Sequence, residues 1–187
     1  MSIRLLWPDA SDPAVLNVTA LLERLAGESI RAQVLRQVLT AAERSDVTVE
    51  RGLWSAGEEV LRRSVLLRGA ASGRSFLHAT ASIAVRRLPL AVSKGLLVSE
   101  VPFGRLLHDA QVRITRTDLR GTDQSLGELC SLFDGLPPVA RAVRRSYVMR
   151  LHDGVAVADL VETFPLSITQ AAFVATQLAK EHPSTNA

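Results

Sequence analysis

Cysteine is nearly absent from this chain. Cys130 stands alone among 187 residues, which excludes an intrachain disulfide framework and a thiolate metal cluster. Aromatic residues make up only 4%, so a core has to be built from Leu, Val, Ala and Ile. The same scarcity argues against the ring platforms on which single-stranded nucleic acid stacks. Lysine is rare too: apart from Lys94 and Lys180, all the basic charge is arginine. Nowhere do about 18 apolar residues run together, so no membrane span is expected. The stretch from Met1 to Pro13 lacks the basic start and long apolar run of a secretory leader, and the expected location is the cytoplasm.

What is present is an ordinary globular composition, 47% hydrophobic and 22% charged. The length fits one domain, 1–187, with enough material for a core and an enclosed cavity. A sequence pI of 9.7 suggests nucleic acid until the charges are placed. Net charge is only +3, and the arginines are interspersed with acids along the whole chain, with only short clusters such as Arg62-Arg63 and Arg144-Arg145. A phosphate-binding surface segregates its charge, so nucleic acid is not expected as a partner.

Residues 11–42 read as helical. Ser11-Asp12-Pro13 makes a start signal, Val15, Val18, Leu21, Leu22 and Leu25 form one stripe, and Ile30, Val34, Val38 and Leu39 form a second beyond Gly27. Asp46 to Arg51 alternates with period two and is predicted as a strand. Residues 61–68 and 76–85 form a hairpin around the small residues Gly69 to Gly73. Short helices follow at 89–98 and 103–110, then a strand at 111–119 and a short helix at 126–133. A second hairpin, 141–151 with 155–164, turns at Asp153-Gly154. A last helix is expected over 168–181, with a frayed tail from about 182. Helices followed by hairpins, with no βαβ rhythm, give an α+β protein with an antiparallel sheet.

Familiar catalytic and phosphate-binding motifs are missing: there is no Gly-rich phosphate loop with Lys, no G-x-G-x-x-G, no H-E-x-x-H and no G-x-S-x-G. His78, His108, His152 and His182 are scattered, so no metal site is expected. Strand alternation is more informative. In 61–68 one face carries Arg63, Val65 and Leu67, and the other carries Arg62, Ser64, Leu66 and Arg68. An arginine on the apolar face needs a carboxylate or an anionic ligand. The same reading of 158–164 places Glu162 with Ala158, Leu160 and Phe164. Three outcomes follow for this inward pair: a ligand site, a structural buried ion pair, or a strand end that reaches solvent.

Several segments in order resemble the chorismate pyruvate-lyases, closest to the divergent branch that makes 4-hydroxybenzoate for secondary metabolism. They are Leu61-Arg62-Arg63-Ser64-Val65-Leu66-Leu67, Ile83-Ala84-Val85-Arg86-Arg87-Leu88-Pro89, Pro102-Phe103-Gly104-Arg105-Leu106-Leu107, and Arg144-Arg145-Ser146 with Glu162-Thr163-Phe164-Pro165. The resemblance spans roughly residues 28–166. It implies a six-stranded antiparallel sheet with helical flaps enclosing an internal ligand pocket, and a cofactor-independent lyase that splits chorismate into 4-hydroxybenzoate and pyruvate without a metal.

Carried over by position, Arg63 grips the ring carboxylate and Glu162 lies beside the ring hydroxyl, which it either orients or exchanges a proton with. Phe103 and Ile30 offer backbone N–H groups to the substrate. Thr80 stands where the better-known lyases have a second arginine, and Arg86, Arg145 and His78 are the candidates to replace it. The implied partner is a small carboxylated substrate, with no membrane, in a monomer or small homo-oligomer. Two alternatives stay open. One is a non-catalytic small-molecule sensing domain of the same fold, of the kind found in transcription regulators, although residues 1–45 are too short and too Leu-striped for the winged helix those normally carry. The other is a divergent pathway enzyme acting on another carboxylated substrate.

Overall fold

The computed structural model describes residues 18–167. The elements run α1 (Val18–Ala26), β1 (Ile30–Ala41), α2 (Val47–Glu50), β2 (Glu59–Gly69), β3 (Ser75–Ile83), α3 (Leu90–Val98), α4 (Phe103–Asp109), β4 (Ile114–Ser125), β5 (Arg141–Leu151) and β6 (Ala156–Pro165). A one-turn 3-10 segment lies at Val85–Arg87 and a two-turn one at Gly127–Leu132. The strands form one six-stranded sheet in the order β1-β2-β3-β6-β5-β4, antiparallel at every pairing. This is the α+β architecture expected, with its six strands.

The two hairpins are joined by β3 and β6, paired from His78↔Thr163 to Ile83↔Ala158. Gly154, at φ 86°, makes the second hairpin's turn in a region costly for other residues. A bulge between Met149 and Arg150 then sets the register that runs to Ala142↔Pro165. Helices α3 and α4 lie on one face of the sheet, burying Val92, Leu96 and Leu107 against Leu61, Ile83, Tyr147 and Met149. They pack closely because Gly95 has no side chain: a Cβ there would meet Leu106 Cδ2 at 2.7 Å. Helix α1 buries Val18 and Leu22 over the neighbouring part of the core, with Ile30, Ala32, Leu77 and Phe164. A separate cluster holds Leu53 and Trp54 with Val60 and Val148.

Two expectations of secondary structure are corrected. Residues 30–41 are a strand, not a helix. A β-bulge between Val34 and Arg36 breaks the alternation and spaces the apolar residues as a helix would. The β-branched Ile30, Val34, Val38 and Thr40 suit an extended edge. Residues 46–51 are not a strand: α2 forms a single turn in which Asp46 O accepts from the Val49 and Glu50 amides at 2.9 and 3.0 Å, while Asp46 Oδ2 accepts from Glu43 N at 2.8 Å. The helix expected over 168–181, the start signal at 11–13 and the tail lie outside the described residues. Among the described residues no helix is long and apolar enough to cross a membrane.

Candidate functional site

The side of the sheet beneath the helices carries cross-strand rows. One runs Arg63–Ala81–Leu160–Tyr147, and the next runs Val65–Ala79–Glu162–Arg145. A third runs Leu61–Ile83–Ala158–Met149–Arg116. Above these rows lies a cavity of about 70 Å³, roofed by Val18, Thr19 and the turn Pro102-Phe103-Gly104. Most of its wall is apolar, with Arg63, Arg116, Tyr147 and Glu162 supplying most of the polarity.

Arg63 is buried, with 6% of its surface exposed. Its Nη1 donates to Leu96 O at 3.1 Å and its Nη2 to Ser99 O at 3.2 Å. These carbonyls belong to the last turn of α3 and its C-cap, the negative end of the helix. No carboxylate of the described residues lies within ion-pair distance of Arg63, and its Nε is buried without a hydrogen-bond acceptor. Burial pulls the guanidinium below its ordinary pKa, yet a group so basic stays charged at neutral pH.

Glu162 is placed differently. Arg145, directly opposite on β5 and 2% exposed, donates from Nε to Glu162 Oε2. Tyr147 OH donates to Glu162 Oε1 at 3.0 Å. Burial first, and then the adjacent Glu162 carboxylate, push the Tyr147 phenol well above its usual range, which keeps it a neutral donor. The Tyr147 ring also carries two guanidinium contacts, with Arg145 at 5.1 Å and Arg116 at 5.3 Å from its centroid. The buried ion pair is therefore Glu162 with Arg145, not Glu162 with Arg63. Both carboxylate oxygens are already engaged, which suits a charge brace better than a proton-transfer group.

Of the residues singled out from sequence, Arg63, Glu162 and Phe103 line one cavity. Two do not join them. Ile30 is a core residue at the start of β1 whose N–H is already taken by Glu23 Oε1 at 3.1 Å. Thr80 is exposed on the opposite face of the sheet, paired across from Ser64 and Val161, because odd and even positions of a strand face opposite ways. Of the three candidates for a second cation, two fall elsewhere: Arg86 pairs with Glu59 at the surface, and His78 bonds Ser64 Oγ at 2.9 Å on the far face; the third, Arg145, is on the inward face but is engaged by Glu162.

Arg116 was missed by the sequence reading, although the signal was present. Alternation from Val112 through Ile114 puts Arg116 on the apolar side of its strand, the argument that found Arg63. Arg145 shares its parity with Tyr147 and Met149, and it stands as far before the Asp153-Gly154 turn as Glu162 stands after it. No cluster of three or more His, Cys, Asp or Glu side chains that could hold a metal occurs among the described residues.

No protein-family model matches the chain, and no curated protein matches it. Solved structures do. PhnF from Mycobacterium smegmatis is 17% identical with a TM-score of 0.60, over 76% of this chain and 61% of that one. The effector domain of the same PhnF is 16% identical with a TM-score of 0.56, over 75% of this chain and 83% of that domain. A GntR-family transcriptional regulator from Bacillus cereus is 14% identical with a TM-score of 0.53, over 74% and 92%. The chain thus spans about three fifths of full-length PhnF and most of its effector domain.

The chorismate lyase-like fold stands, and the similarity is one of fold. The expectation of a lyase does not stand: the solved structures that match include a transcriptional regulator and an effector domain, and Glu162 is committed to Arg145 and Tyr147. The expectation that nucleic acid has no place among the partners is corrected on the same finding, because the matched proteins include a transcriptional regulator.

Proposed function

We propose that this chain is a small-molecule-sensing domain, whose cavity takes a ligand bearing an anionic group and whose occupancy is read by a DNA-binding unit. Arg63 carries this reading: a buried guanidinium in a mostly apolar cavity, with Nε lacking an acceptor. A desolvated cation without an anionic partner weakens a core, but an arriving anion gains from it. The cavity suits a small ligand, since a single water needs about 10–15 Å³ on this measure. Glu162, Arg145 and Tyr147 brace the wall beside Arg63 and hold its shape. The output side of the proposal is supported by the regulators that share the fold.

A thermal-shift panel of small carboxylates and phosphates, each beside its neutral amide or ester, tests the reading. A ligand that binds only the folded state raises Tm by mass action. Anionic members are expected to raise Tm, neutral counterparts to leave it unchanged, and Arg63→Gln to abolish the response. NMR after prolonged incubation is expected to recover the ligand unaltered. No stabilising anion, or conversion of the bound compound, would overturn the proposal.

A further inference from the structure

Among the described residues the charges around the cavity do not balance, and the excess has a direction. Arg145 and Glu162 neutralise each other. Arg63 and Arg116 remain, and neither has a carboxylate of the described residues within ion-pair distance. Each has its Nε buried without an acceptor. Arg63 spends its Nη atoms on two helix carbonyls, while Arg116 rests against the Tyr147 ring at 5.3 Å and also interacts with the Tyr147 hydroxyl.

The two arginines enter from opposite sides. Arg63 stands on β2 and Arg116 on the edge strand β4, four strands apart in the sheet order, or about 19 Å of backbone at roughly 4.8 Å per strand. Both side chains nevertheless line the same small cavity, and the floor between them is mostly apolar, with Ala81, Leu160 and Met149 beside Tyr147. Just beyond Arg116, β4 carries a bulge between Thr117 and Arg120 in which Asp118 adopts φ 56°. Bulges at sheet edges re-aim neighbouring side chains. An occupant with one charge would satisfy one guanidinium and leave the other, buried Arg63 or half-buried Arg116, without an anionic partner.

We infer that the ligand carries two anionic groups on a short apolar body, one met by Arg63 and the other by Arg116. The inference rests on the sensing reading and adds to it the number and spacing of charges. It makes Arg116 the residue that decides between ligands with one charge and ligands with two.

The test titrates the intact chain by calorimetry with straight-chain dicarboxylates from malonate to adipate, beside monocarboxylates of equal carbon number. At least one dicarboxylate is expected to bind about tenfold or more tighter than its monocarboxylate, the scale of a charge-assisted contact. Arg116→Gln lowers that dicarboxylate to the level of the monocarboxylate, whereas Arg63→Gln abolishes binding of both. Arg116→Lys, which keeps the charge but loses the planar fork, retains part of the preference and serves as the folded control. Equal affinities for the two series, or an Arg116→Gln variant that weakens both alike, would overturn the inference while leaving the sensing reading in place. Failure of every anion to bind would remove both.

Discussion

Arg62 and Arg63 are neighbours in the chain, yet the sheet sends them into opposite chemistry. On the exposed face Arg62 meets Asp46 at 2.6 Å with nearly half of its side chain in water. There too are Thr80 and an open groove of about 690 Å³ lined by charges of both signs, hydroxyl groups and a few apolar side chains such as Val38 and Val161. On the covered face Arg63 sees apolar side chains, helix carbonyls and a cavity. The outer face shows charge that solvent already satisfies; the inner face shows charge held away from solvent. The same residue type therefore has little consequence in one place and much in the other.

The sharpest way to break that contrast is to remove the brace on the inner face. Glu162→Gln leaves Arg145 buried without its anion and is expected to cost about 3–5 kcal/mol in urea unfolding. The double substitution Arg145→Met with Glu162→Leu is expected to recover most of that loss. Tyr147→Phe removes one hydrogen bond to the carboxylate and should cost about 1.5–3 kcal/mol. Arg63→Met loses two bonds to carbonyls but ends the desolvation of a lone cation, so stability should change by only about 1 kcal/mol in either direction. Anion-induced stabilisation disappears in that variant, which separates binding from folding.

The outer face supplies the smaller effects. Burial holds His78 below its ordinary pKa, so the folded state binds its proton less readily than the unfolded chain does. This contribution is fully present above about pH 6.5 and is lost as the pH falls below it. Denaturation midpoints followed from pH 7.5 to 5 should show that decline, and His78→Gln should flatten it. Arg62→Ala should leave the midpoint unchanged, and a loss as large as that of Glu162→Gln would erase the distinction between the faces.

Much of this division was legible from alternation. Period two placed Arg63 and Glu162 inward and Arg62 outward, and Asp153-Gly154 located the turn that brings β5 against β6. The errors have local causes. A single bulge residue, Leu35, converted the pattern of β1 into an apparent helical stripe. Four residues of α2 are too few for period two to distinguish a strand from one helical turn. Glu162's true partner depends on which strands become neighbours, a tertiary fact that face assignment does not contain. Function was harder still, because a fold does not fix a function, and segments that preserve a fold do not choose between a lyase and a sensing domain.

Arg63 also has a mechanical aspect. Its guanidinium has five N–H groups, and it ties the middle of β2 to Leu96 O and Ser99 O at the far end of α3. It acts as a strut whose one end is a strand and whose other end is a helix terminus, with the cavity alongside. The side chain that faces the cavity is thus the same one that closes the carbonyl end of α3.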